Sequence, residues 1–236
     1  MRMHYLQHVP YESPAGILTW AEEKRLKITR TALYEPAPYP SVETFDWLVI
    51  MGGPMNIYEE AKYPRLTEEK RFIEKAIKAE KMILGICLGA QLLADLLGGP
   101  VSRNKNREIG WFPVMLTERG KKSPVFGNLP AEFITFHWHS DTFALPPGAI
   151  HLAASEACFN QGFSYGKNIL GLQFHPEMRR NDIAEIVERT RDQLVIDKFI
   201  QPEEALLNAD ENFKSMTEWL PMMLANFLRA NGYRAE

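Results

Sequence analysis

Cysteine is scarce in this chain. Cys87 and Cys158 are the only two in 236 residues, too few for a disulfide framework, so both are expected to be reduced thiols. Excess charge is missing too: the net charge is −3 and no long basic run occurs, which leaves nucleic-acid binding without electrostatic support. No apolar run approaches the roughly 20 residues of a membrane-spanning helix, so no membrane partner is expected. The opening stretch MRMHYLQHVPYESP lacks the apolar core of a secretion signal, and a cytoplasmic location is the default expectation. There is no Walker lysine and no G-x-G-x-x-G spacing, which argues against a phosphate-binding loop. Internal repeats and low-complexity segments are absent as well.

What the chain does contain is alternation. MHYLQHV, LKITRTALY, DWLVIMGG and KMILGI read as strands, and GILTWAEEKR, LTEEKRFIEKAIKAE and AQLLADLLGG as helices. Thr67 is the expected cap of the second helix and glycine the stop of the third. This β-α-β-α order predicts an α/β fold with a parallel sheet and helices on both faces. Between Val101 and Gln173 the pattern changes to short strands, GWFPVMLT, EFITFHWH and AIHLAASEACF, separated by Pro and Gly turns. ILGLQFHPEM returns to a buried strand. From Asn181 onward the text is helical, through DIAEIVERTRDQLVIDKFI and on to Asn231, with Pro202 marking a start and Pro221 a kink.

The most informative stretch is Gly85-Ile86-Cys87-Leu88-Gly89, where an apolar strand turns into a helix. Such a turn strains the residue at its apex and exposes its side chain at the carboxyl edge of the sheet. Small residues two before and two after let strand and helix approach. The Gly-x-Ser-x-Gly nucleophile elbow has this design, here with sulfur as the nucleophile. The helix N-terminus beyond it favours a thiolate. Cys158, in SEACFNQG, lacks that setting and reads as a core residue.

A thiol nucleophile needs a base, and the base an orienting group. In LQFHPEM, Pro176 biases His175 toward extended geometry. Positions i and i+2 then share a face, so Glu177 can hold one imidazole nitrogen and leave the other for the thiol.

GICLGAQLLA, GLQFHPEM and VIMGGPMNIYE, in the order they occur, resemble the signatures of the class I glutamine amidotransferase family. Within that family the pattern is most like the amidotransferase domain of GMP synthase. The resemblance implies a flavodoxin-like open, mostly parallel sheet. It implies a Cys87-His175-Glu177 triad that hydrolyses the side-chain amide of glutamine through a thioester on Cys87. The backbone N–H groups of Gly53 and Leu88 would form the oxyanion hole, and losing one such donor typically costs about 3 kcal/mol. Gly52, Gln91, Trp138, His139 and Ser140 would surround the substrate.

FHWHSDTF admits a rival reading, because His137, His139 and Asp141 would share one strand face, as in part of the metallo-hydrolase H-x-H-x-D-H pattern. Thr142 replaces its last histidine, and no second ligand group is evident beyond His151 and His175. No metal and no cofactor are therefore expected. The expected organisation is an amidotransferase domain over residues 1–180 and a helical extension over residues 181–236 packed on it. The expected partners are a small-molecule substrate, glutamine or a γ-glutamyl compound, and a synthetase or acceptor subunit. A γ-glutamyl peptidase and a non-catalytic binding module are the alternatives.

Overall fold

The computed structural model describes residues 1–233. Its first half alternates as β1 (Arg2–Gln7), α1 (Ala15–Glu23), β2 (Lys27–Ala32), β3 (Trp47–Ile50), α2 (Arg65–Lys78), β4 (Met82–Ile86) and α3 (Leu88–Leu96). There follow β5 (Val101–Leu116), α4 (Glu118–Lys121), β6 (Glu132–Phe143), β7 (Ile150–Ala154), β8 (Gly162–Tyr165) and β9 (Ile169–Leu172). Helices α5 (Arg180–Thr190), α6 (Glu203–Leu207) and α7 (Asp210–Ala230) come last.

The strands form one sheet in the order β2-β1-β3-β4-β9-β8-β7-β5-β6. The first five are parallel: α1 carries the chain back between β1 and β2, α2 between β3 and β4, and α3 begins the return from β4. The remaining pairings are antiparallel, which short connections permit. This is the open flavodoxin-like α/β sheet, with an antiparallel wing added to its parallel half.

Burial on both faces explains the continuous apolar text of the central strands. In β3, Trp47 and Val49 belong to one core, with Trp20 of α1 and Trp219 and Phe227 of α7. Leu48 and Ile50 belong to the other, with Phe72 and Ile73 of α2 and Leu92 and Leu93 of α3. The side chains alternate across the sheet with the strand period of two.

Several expectations need correction. Thr67 does not cap α2: the helix begins one turn earlier, at Arg65, with Pro64 in the preceding position. Pro64 already has helical angles, φ −59 and ψ −23, which its ring favours. The middle strands are not all short. β5 has 16 residues and β6 has 12, paired as one hairpin with a register shift between Arg103 and Glu108. β8 was not expected, since GFSY is brief and begins with glycine.

The helical reading of 182–200 holds only through α5 and the short 3-10 turn Arg191–Gln193. Beyond it the chain turns at Asp197–Ile200 and bridges to β5: Ile109 N–H donates to Phe199 O at 2.8 Å and Gln201 N–H to Ile109 O at 2.9 Å. Among the described residues the edge of β5 at Ile109 has no strand neighbour on that side, and unpaired edge groups capture a passing segment. Pro221, the expected kink, lies inside α7, which runs continuously from Asp210 to Ala230. The last three positions of the expected extension, 234–236, lie outside the described residues. Among the described residues no helix is long and apolar enough to cross a membrane.

Candidate active site

Parallel pairing puts the carboxyl ends of β1, β3, β4 and β9 on one edge, the edge where open α/β sheets place their ligands. The residues that follow those ends are His8 to Glu12, Gly52 and Gly53, Cys87, and Gln173 to Glu177.

Cys87 sits at φ 50 and ψ −106, directly before α3. That left-handed φ is rare for a residue with a side chain and costs about 1–3 kcal/mol. It is held by Cys87 N–H on Leu172 O at 2.8 Å and by Gln91 N–H on Cys87 O at 3.1 Å. A Cβ on Gly85 would stand 2.5 Å from the Gly89 carbonyl, and one on Gly89 would collide with the Ile50 carbonyl. Both glycines are thus required by close approach. The thiol lies 3.8 Å from Trp138 O and 3.6 Å from Gln173 Nε2.

His175 and Glu177 meet as the alternation implies, with Nδ1 2.8 Å from Glu177 Oε1. The His175 main chain is pinned to β6 by its N–H on Phe136 O at 2.8 Å and by Thr135 Oγ1 donating to His175 O at 3.3 Å. Burial works against the imidazolium, yet the Glu177 charge and the bond to the Cys87 thiol outweigh it and raise the His175 pKa well above its ordinary value. Since Glu177 takes Nδ1, Nε2 is left for the thiol.

Gly52 lies between these groups. A Cβ there would stand 2.5 Å from Glu12 Oε2, 3.0 Å from His175 Cε1 and 3.6 Å from Cys87 Cβ. Among the described residues, the N–H groups of Gly53 and Leu88 have no acceptor, so two donors stand unspent beside the thiol. Gly53, Cys87, Gln91, Trp138, His139 and Ser140 line one cleft of about 590 Å³.

The remaining substrate-side residues share a network. Gln91 Nε2 donates to Gln173 Oε1 at 3.1 Å and reaches Asp141 O at 3.5 Å. Both His139 nitrogens are engaged, Nδ1 with Asp141 O and Nε2 with Glu108 Oε2, each at 3.1 Å. Trp138 Nε1 and Arg107 both donate to Gln193 Oε1, at 3.1 and 3.2 Å. The stretch after α5 thereby forms a wall of the cleft.

Sequence reasoning missed Gln173, Glu12, Glu108 and Gln193. The first two had a signal. Gln173, His175 and Glu177 continue one i, i+2 alternation, and Glu12 follows a parallel strand at the same edge. Glu12 is buried, and burial raises its pKa. Glu108 and Gln193 arrive from distant segments and left no local mark.

For metal binding, the buried Glu108, His137 and His139 bring ligand-type atoms within 4.8 Å of one another. Asp141 does not join them. It turns to Asn56 Nδ2 at 2.6 Å and to Arg103 at 3.7 Å. Glu108 Oε2 already accepts from Gln161 Nε2 at 2.6 Å as well as from His139, and a cation would have to displace these donors. Burial lowers the His137 pKa to about 4. Cys158 lies in the core against Thr142 Oγ1 at 3.2 Å, and burial pushes its thiol up to about 11.

Comparison with known proteins follows the same lines. The family model described as glutamine amidotransferase class-I matches residues 18–191. The glutamine amidotransferase-like protein YfeJ of Salmonella typhimurium is 34% identical over 199 residues, covering 82% of this chain and 83% of that protein. The glutamine-hydrolysing GMP synthase of Thermomicrobium roseum is 34% identical over 143 residues, which is 60% of this chain but 25% of that enzyme. A crystal structure of a glutamine amidotransferase from Thermotoga maritima superposes with a TM-score of 0.85 at 35% identity, covering 97% of this chain and 98% of that one.

Proposed function

The chain belongs to the class I glutamine amidotransferase family, and from that premise we propose that it hydrolyses the side-chain amide of glutamine through a thioester on Cys87, releasing ammonia. The observation that carries this reading is the juxtaposition at one sheet edge of a strained Cys87, a His175–Glu177 pair and two unspent backbone N–H donors.

The chemistry follows from the parts. His175 Nε2 takes the thiol proton and the sulfur attacks the amide carbon. Negative charge gathers on the carbonyl oxygen, where the N–H groups of Gly53 and Leu88 stabilise it. When the tetrahedral intermediate collapses, the C–N bond breaks and His175 gives its proton to the leaving nitrogen. The raised His175 pKa favours the imidazolium that forms when the thiol proton is taken, and that imidazolium is the acid that serves the leaving nitrogen. Water then attacks the thioester, losing a proton to His175, and glutamate and the thiol are freed. Gln173 and Trp138 O hold the sulfur in line. Gly52 gives the passage its width, and Gln91, Trp138, His139 and Ser140 line the space for the rest of the substrate.

A synthetase or other acceptor subunit would receive the ammonia. The likeness to GMP synthase supports this, although it covers a quarter of that enzyme. A second reading, hydrolysis of larger γ-glutamyl compounds, draws on the cleft. At about 590 Å³ it falls in the range that encloses drug-sized ligands. Arg107 on its wall also has no carboxylate partner among the described residues.

The experiment is glutamate release by the purified chain from glutamine and from a panel of γ-glutamyl amides, beside Cys87→Ala. Cys87-dependent release is expected. Equal release by the variant would sink the assignment. Preference for the larger amides would favour the second reading.

A further inference from the structure

His8 follows β1 and Glu69 lies on α2, and both side chains are about 1% exposed. No step above uses either. His8 Nε2 lies 2.9 Å from Glu69 Oε1, and His8 Nδ1 lies 2.9 Å from the carbonyl oxygen of Gly52. A carbonyl only accepts, so Nδ1 carries a proton. An ionised carboxylate only accepts as well, so beside a charged Glu69 the ring is protonated on both nitrogens. Burial opposes that cation, but the charges of Glu69 and Glu12 outweigh it and raise the His8 pKa.

The Gly52 carbonyl shares a peptide plane with the Gly53 N–H. The described residues contain no cis peptide bond, so the two groups point in opposite directions. A bond that fixes the oxygen on one side therefore fixes the N–H on the other. This peptide needs such a strut. It lies beyond the end of β3, and two adjacent glycines rotate their shared peptide at little steric cost. Bulkier residues cannot replace them, since a Cβ on Gly53 would stand 2.9 Å from His8 Cβ and 2.7 Å from Met55 Sδ.

We propose that His8, held by Glu69, is a positioning residue that pins the Gly52 carbonyl, turns the Gly53 N–H toward the developing oxyanion and polarises it. The proposal rests on the reading of Cys87 as the nucleophile of an amide hydrolase.

Two amide side chains divide the two bonds of His8. The nitrogen of Asn comes near the place of Nδ1 and can still donate to Gly52 O. The nitrogen of Gln comes near the place of Nε2 and reaches only Glu69. His8→Gln is expected to lower kcat for glutamine about 100-fold with little change in KM, the loss typical of one oxyanion donor, while His8→Asn stays within about tenfold of the wild type. A purely structural role would instead make both variants lose activity in step with their stability. Equal losses, or a His8→Gln kcat close to the wild-type value, overturn the proposal. Nitrogen NMR of the wild-type ring gives a second readout that needs no variant. A protonated Nδ1 at neutral pH is expected, and a bare Nδ1 overturns the proposal even if the variants fail to fold. The wild type is assayed first against Cys87→Ala. Absence of Cys87-dependent hydrolysis there defeats the underlying reading itself, and is recognised because the wild type is already inactive.

Discussion

Two histidine–glutamate pairs serve the same sheet edge. His175 lies 2.8 Å from Glu177 and His8 lies 2.9 Å from Glu69, and all four side chains are buried. In both pairs the carboxylate raises the histidine pKa against the pull of burial. They differ in which nitrogen the carboxylate takes and in what the other one faces. Glu177 takes Nδ1 and leaves Nε2 to a thiol, which can give up a proton. Glu69 takes Nε2 and leaves Nδ1 to a carbonyl, which cannot. On the proposed readings the same two residue types make a proton shuttle in one place and a strut in the other, and the partner at the far nitrogen decides which. His4 completes the contrast. It is buried between the hydroxyls of Thr29 and Thr31 with no carboxylate partner among the described residues, and burial lowers its pKa to about 4.

The largest expected effect separates shuttle from strut. His175→Asn should reduce kcat by on the order of 10⁴-fold or more, the scale seen when a triad base is removed. That exceeds the loss expected of any His8 variant, and steady-state glutamate release measures both. Comparable losses would erase the distinction.

Glu177→Gln comes next. It keeps a hydrogen bond to Nδ1 but removes the charge, and kcat should fall about 10²- to 10⁴-fold with KM little changed. A loss confined to KM would mean that Glu177 binds substrate rather than orients the base.

The smallest effect concerns stability. A histidine whose folded pKa is depressed binds fewer protons than the unfolded chain between about pH 4 and 6.5. Its contribution is therefore whole above about 6.5 and is lost as the pH falls toward about 4. His8, raised, behaves in the opposite sense. Its contribution is whole below about 6.5 and fades only as the pH rises through its elevated value. Urea unfolding at pH 7 and pH 5 should show a loss of stability on acidification that His4→Asn reduces by on the order of 1 kcal/mol. An unchanged slope in that variant would show that His4 does not fold in the neutral form.

How much of this was legible in the text depends on the distance over which each feature is decided. The elbow was legible because Gly85, Cys87 and Gly89 answer to contacts within one strand–turn–helix unit and to the carbonyl of the adjoining strand. The approach of His175 to Glu177 was legible because a strand repeats every two residues. The same rule, carried one step back, would have included Gln173. The stretch from Leu194 to Gln201 was misread because its apolar spacing suits a helix, whereas the chain turns at Asp197–Ile200 and bonds to the open edge of β5 at Ile109.

By itself, then, the sequence determined the α/β alternation, the buried central strands, the elbow and the spacing of the histidine and glutamate after β9. These follow from backbone sterics and from the periods of helix and strand, which act over a few residues. The tertiary structure alone decided that Glu69 reaches His8 across 61 positions, that Glu108 reaches His139 across 31, and that Gln193 reaches Trp138 across 55. Such polar groups find one another because the sheet order places their segments side by side, and a buried polar atom must then bond to whatever partner the packing supplies.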